Sequence, residues 1–168
     1  MRILFAYDGS TEADAAIARA ATLFGHRDTE AVVLSVWEPL TVQALRAERF
    51  GSPMLGVPYD AVDQDENSAH QAQHLAEHGA RLAGEAGFEA RALSVADDRK
   101  IAETIAAGAD ELDADVIVLG ARGLAGIAAL LGSVSTAVAQ HAGRPVLIVP
   151  HAADRAALEP ADAVAAAG

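Results

Sequence analysis

The chain contains no cysteine, which removes disulfides, zinc thiolates and thiol nucleophiles from consideration. Aromatic residues make up only 4% of it, so its core has to be built from aliphatic side chains and alanine, a composition that favours closely packed helices. Basic residues are scarce. Twelve Lys and Arg stand against 24 Asp and Glu, the formal net charge is −12, and Lys100 is the only lysine. Binding to nucleic acid draws on the neutralisation of phosphates by basic side chains, so general attraction to a polyanion is excluded, and an anionic membrane surface with it. A small anion can still be held by a local group of main-chain N–H donors. No apolar run approaches the ~18 residues of a membrane span. The run from Met1 to Tyr7 that precedes Asp8 is too short for the core of a signal peptide. The expected location is the cytoplasm.

Three nucleotide or hydrolase motifs are also missing. There is no Gly-Lys-Ser/Thr, so a P-loop motor or kinase is ruled out. There is no Gly-x-Ser-x-Gly nucleophile elbow. The first apolar strand runs into Asp8-Gly9-Ser10 and not into the Gly-x-Gly-x-x-Gly of dinucleotide folds.

What is present is an alternation of strand and helix patterns in a chain of 168 residues, a length suited to one domain. Residues 2–7, 31–37, 89–95, 115–119 and 145–149 read as buried strands. Residues 11–25, 68–87, 100–112 and 133–141 read as helices, with Ala15, Ala16, Ala20 and Leu23 giving rough helical spacing on the first and Ile101, Ile105 and Leu112 facing inward on the third. Residues 38–67, which hold Pro39, Pro53 and Pro58, read as a long connection with a short helix at 41–49. The alanine-rich tail 151–168, broken by Pro160, reads as a flexible end outside a folded unit of residues 1–150. Strands buried on both faces and separated by helices predict an α/β fold: an open parallel sheet with helices on both sides.

The most informative stretch is Gly120-Ala-Arg-Gly123, which follows the apolar run 115–119 and is followed in turn by Gly132-Ser-Val-Ser135. A strand, a glycine-rich turn and a fresh helix start occur in that order. Glycine lets the backbone approach a phosphate without a Cβ in the way. A helix start offers unpaired N–H groups and the positive end of a dipole. In open α/β sheets ligands bind beyond the carboxyl ends of the strands. Those ends carry Tyr7-Asp8-Gly9-Ser10, Val36-Trp37 and Gly120 to Gly123.

These ordered features resemble the universal stress protein family over residues 1–150. The resemblance rests on Tyr7-Asp8-Gly9-Ser10, on Ala114-Asp115-Val-Ile-Val-Leu-Gly120, on the glycines Gly123 and Gly132, and on Arg144-Pro-Val-Leu-Ile-Val149. It implies a five-stranded parallel sheet of order 3-2-1-4-5, Rossmann-like, and binding of ATP with Mg²⁺ between the first and fourth strands. The residues it implies for the nucleotide are Tyr7, Asp8, Gly9, Ser10, Val36, Leu119, Gly120, Arg122, Gly123, Gly132, Ser133, Val134 and Ser135. Val36 would meet adenine. Asp8 would meet an amino group, a ribose hydroxyl or Mg²⁺. Gly120 and Gly123 would line the ribose and phosphates, and the stretch from Gly132 to Ser135 would hold the phosphate tail. The resemblance also implies a homodimer paired through the fifth strand, Val146–Val149.

The chain departs from the family pattern in two places. Residues 124–131 number one fewer than the nine of the family signature, a change that a loop absorbs. Ala96-Asp97-Asp98-Arg99 stands where such proteins often carry glycine. Two rival readings stay open: a dimeric interaction protein of the same fold that binds no nucleotide, and a slow ATPase in which residues 38–67, with Arg46, Arg49 and Tyr59, close over the phosphates. No general base is legible, so catalysis is expected to be weak at most. His70, His74 and His78 recur every fourth residue on one helix and read as a solvated face with no third ligand.

Overall fold

The structure, a computed structural model, describes residues 1–25, 28–49, 61–121 and 132–150. Its elements run β1 (Arg2–Ala6), α1 (Thr11–Phe24), β2 (Glu30–Trp37), α2 (Leu40–Arg49), α3 (Ala61–Glu85), β3 (Glu89–Ala96), α4 (Ile101–Glu111), β4 (Val116–Gly120), α5 (Ser133–His141) and β5 (Val146–Val149). The five strands are all parallel, in the order β3-β2-β1-β4-β5. This is the expected α/β architecture and strand order.

Side-chain alternation splits the core into two layers. Ile3, Phe5 and Tyr7 of the first strand segment, with Val33 and Val118, pack against Ala13, Ala16, Ile17 and Ala20 of α1 and Ala83 of α3. The residues between them, Leu4, Val32, Leu34, Ile117 and Leu119, pack against Ala102, Ile105 and Ala109 of α4 and Val138 of α5. The strands of the sheet centre are therefore largely apolar, because both of their faces are covered.

Small residues set how closely the helices approach. On α3 the buried positions beyond its first residue, Ala61, are Ala72, Ala76, Gly79 and Ala83, a single helical stripe. A Cβ on Gly79 would lie 2.8 Å from Val33 Cγ1 and 3.0 Å from the Tyr7 ring. Glycine is thus what allows α3 to rest on β1 and β2. The same helix stops in a Schellman-type end: Gly87 has φ +100°, and Phe88 N–H donates to Ala83 C=O at 3.1 Å.

Some sequence expectations are corrected. Helix α3 begins at Ala61, seven residues before the expected start, so the region 38–67 contributes two helices instead of a loop with one; residues 50–60 lie outside the described residues. Leu23 and Ile101 point outward, 44% and 38% exposed, and Ala13 and Ile17 take the inner face of α1. Periodicity alone misplaced them because alanine fits either face of a helix. Strand β4 begins at Val116, since Asp115 serves instead as an acceptor for Arg2 N–H at 2.7 Å. The alanine-rich tail 151–168 lies outside the described residues. Among the described residues, no helix is long and apolar enough to cross a membrane.

Candidate functional site

The strand order reverses between β1 and β4, because β1 leads outward to β2 while β4 leads outward to β5. A crevice opens at the carboxyl ends of strands at such a point. The register pairs Ala6 with Leu119. It therefore brings the Tyr7–Ser10 turn beside Leu119 and Gly120, as the sequence reading anticipates for these residues.

The turn is built by its own polar groups. Ser10 N–H donates to Asp8 Oδ1 at 3.0 Å, and Ser10 Oγ in turn accepts from Ala13 N–H at 3.2 Å, capping α1. Gly9 has φ +76°, a conformation that glycine adopts without strain. A Cβ there would also lie 2.6 Å from Leu75 Cδ2 of α3. Asp8 is exposed at the mouth of the crevice. Tyr7 is 4% exposed; its hydroxyl donates to Asp14 Oδ1 at 2.6 Å and lies 2.9 Å from His78 Nδ1. Burial, and then the hydrogen bond to Asp14, push its phenol well above the ordinary value.

Gly120 is demanded by packing. A Cβ on it would lie 2.7 Å from the backbone carbon of Glu12, in the first turn of α1. Its carbonyl accepts a hydrogen bond from Ser135 Oγ at 3.0 Å, and Ser135 is buried. That bond fastens the first turn of α5 to the end of β4. The N-cap of α5 is Gly132, with no side-chain cap, so the serines of this turn do not serve as N-caps. The amides of Ser133, Val134 and Ser135 fall before the first i→i−4 bond of the helix, which Thr136 N–H makes to Gly132 C=O at 2.9 Å. Arg122, Gly123 and the shortened stretch 124–131 lie outside the described residues.

Val36 completes the crevice from the β2 side. Along a strand, successive residues turn their main-chain groups to opposite neighbours. Leu34 C=O accepts from Tyr7 N–H at 2.8 Å, and Trp37 C=O accepts from Asp97 N–H at 2.6 Å. The N–H and C=O of Val36 therefore point to the β1 side, two residues past Leu34, where the β1–β2 register has ended. An adjacent donor and acceptor at a strand end is a pattern that the edge of a purine base can match.

The sequence reading missed Asp97. Its carboxylate is fully buried, and Oδ1 accepts from Thr104 Oγ1 at 2.6 Å and from Arg99 N–H at 3.1 Å. Oδ2 pairs with Arg46 Nη2 at 3.1 Å, and Arg46 also pairs with Glu38. Arg46 is thereby held over β2 and β3, one strand away from the β1–β4 crevice. The only sequence signal was an acidic residue where glycine is common, and nothing local showed that it would be buried.

The chain matches the family model described as the universal stress protein family over residues 1–150. No curated protein matches it. Among solved structures it is similar to the universal stress protein UspA from Lactobacillus plantarum, at 19% identity and a TM-score of 0.66, covering 89% of this chain and 97% of that one. It is similar to the universal stress protein from Archaeoglobus fulgidus in complex with dAMP, at 23% identity and a TM-score of 0.61, with coverage of 89% and 97%. It is also similar to a universal stress protein family protein from Arabidopsis thaliana with AMP bound, at 22% identity and a TM-score of 0.62, with coverage of 96% and 99%.

Proposed function

The chain belongs to the universal stress protein family, and from that membership we propose that it binds an adenine nucleotide in the crevice between β1 and β4. One observation carries the reading. The Ser135–Gly120 bond holds the open N-terminus of α5 against the end of β4, the strand that lies beside β1 and its Asp8 turn. The adenine nucleotides named with relatives of the same fold support it.

Each group then has a task. The N–H and C=O of Val36 hold the base edge. Asp8 faces the ribose or a metal. Leu119, Gly120 and Gly123 let the backbone run close to the sugar and phosphates, with Tyr7, Gly9 and Ser10 fixing the opposite wall. The amides of Ser133, Val134 and Ser135, behind Gly132, receive the phosphate tail with the favourable end of the α5 dipole. Arg122, outside the described residues, belongs to the same proposed set as a positive charge for the phosphates. The full ligand is ATP. The exposed Asp8 carboxylate suits a magnesium ion carried on the phosphates, since that ion keeps several waters and takes one or two carboxylates. Hydrolysis is slow, because a cradle that holds ground state and transition state alike lowers no barrier. The protein acts in the cytoplasm as a dimeric regulator in stress response.

Trp37 adjoins Val36 and is the only tryptophan, so its fluorescence should change on titration with ATP, with matching heat in calorimetry. Gly132→Val should abolish both signals while the far-ultraviolet circular dichroism stays unchanged. Full affinity in that folded variant would remove the cradle from its assigned place.

A further inference from the structure

Tyr7, Asp14 and His78 form a hydrogen-bonded chain, and the nucleotide reading gives Asp14 and His78 no task. The Tyr7 hydroxyl has one proton, and it goes to Asp14 Oδ1 at 2.6 Å. His78 Nδ1 lies 2.9 Å from the same hydroxyl oxygen. Two acceptors cannot face one another across that distance, so His78 Nδ1 carries a hydrogen and donates it. In the neutral ring the Nε2 lone pair is then left over. His78 is exposed, and among the described residues its ring is hydrogen-bonded only at Nδ1, so Nε2 opens to solvent.

His74 lies one helical turn earlier on the same face of α3, at the spacing that brings side chains together. Its side chain is 79% exposed, and its Nδ1 is turned toward Glu77 Oε2 at 3.6 Å. At that distance the contact is not a hydrogen bond, so the exposed His74 ring can turn to present either nitrogen. A ring whose second N–H is held by an acceptor is the arrangement that fixes the tautomer of metal-binding histidines and raises their basicity. We propose that His74 and His78 form a two-imidazole site for a divalent transition metal, with Tyr7 as the orienting partner of His78.

Imidazole ligands suit Cu²⁺, Ni²⁺ and Zn²⁺, with Cu²⁺ bound most tightly of the three. Among the described residues no group of three or more His, Cys, Asp or Glu is placed to hold a metal. Water therefore fills the remaining positions, and the affinity is that of a two-ligand site. His70 lies two turns from His78, beyond the spacing that brings side chains together, and contributes less. The proposal does not depend on nucleotide binding.

The test uses metal-free full-length protein. Long-range ¹H–¹⁵N spectra at alkaline pH, where imidazole is neutral, should show His78 protonated on Nδ1; a proton on Nε2 overturns the proposal. Calorimetric titration with Ni²⁺ should give one saturable event per chain, lost in His74→Ala and in His78→Ala but retained in His70→Ala. Tyr7→Phe should weaken that event by about tenfold, the loss expected when the partner behind a ligand is removed. Equal binding in Tyr7→Phe, or equal losses in the His70 and His78 variants, means adventitious surface chelation only and overturns it. If Tyr7→Phe does not fold, the His78 tautomer in the unaltered protein decides.

Discussion

Two residues in the crevice are fixed by contacts that a single substitution disturbs in measurable ways. Gly120 has no room for a side chain, because the missing Cβ would sit 2.7 Å from the Glu12 backbone. Gly120→Val is expected to lower the unfolding free energy by about 1–3 kcal/mol, the usual cost of overpacking, as read by urea denaturation. Tyr7 makes its contribution through a buried hydroxyl whose ionisation is pushed upward. Its folded-state pKa lies above the unfolded value of 10.0, so the neutral phenol is what the fold favours. That stability is fully present below pH 10.0 and declines as pH rises beyond it, because the unfolded chain loses the proton first. Thermal melts should show this alkaline loss in the unaltered protein and a shallower one in Tyr7→Phe. The variant should also lose about 1–3 kcal/mol at neutral pH by leaving Asp14 and His78 without their shared partner.

At the scale of elements, helices α2 and α5 are each tied to a strand end by polar side chains. Leu40 N–H donates to Asp65 Oδ1 of α3 at 2.7 Å, and Arg46 reaches Asp97 at the end of β3. Helix α2 is thus pinned at two points across the carboxyl edge of the sheet. Asp97→Ala would leave Thr104 and the Arg99 amide without their acceptor and Arg46 with Glu38 alone. Breaking a buried pair costs about 3–5 kcal/mol. The Arg46 side chain keeps 33% exposure, so about 2–3 kcal/mol is the expected destabilisation here, because solvent takes over part of the lost pairing. Chemical unfolding measures it, and a variant within about 0.5 kcal/mol of the parent would show that Asp97 does not anchor α2.

For the whole molecule the open question is how the sheet edge at β5 is used. Ala121 N–H donates to Val149 C=O, and Ile117 N–H to Pro145 C=O, so the odd-numbered residues of β5 turn their main-chain groups toward β4. The even-numbered ones, Val146 and Ile148, turn theirs away from the sheet. If two chains pair through this edge, Ile148→Pro removes an outward N–H and leaves the β4 ladder intact. Sedimentation should then show a folded monomer in place of the proposed dimer. An unchanged assembly in the variant would place the dimer contact on another surface.

The linear chain carried the strands, the α/β class and the residues at the strand ends, because continuous apolar runs and glycine-bearing turns are local properties. Asp8-Gly9-Ser10, Val36, Gly120 and the stretch from Gly132 to Ser135 were legible for that reason, and the resemblance to known relatives supplied their order in the sheet. Helix faces were less legible: Ala13 and Ile17 turn inward and Leu23 outward because neighbouring elements, and not alanine-rich periodicity, choose the buried side. The tertiary structure alone decided that Gly120 is needed for the approach of α1, that Ser135 bonds to the end of β4, and that Asp97 is buried beneath Arg46. It also joined Tyr7 to His78 across 71 positions of the chain. Each of these depends on which surfaces meet after the sheet has formed, and pairings between distant residues leave no trace in a local pattern.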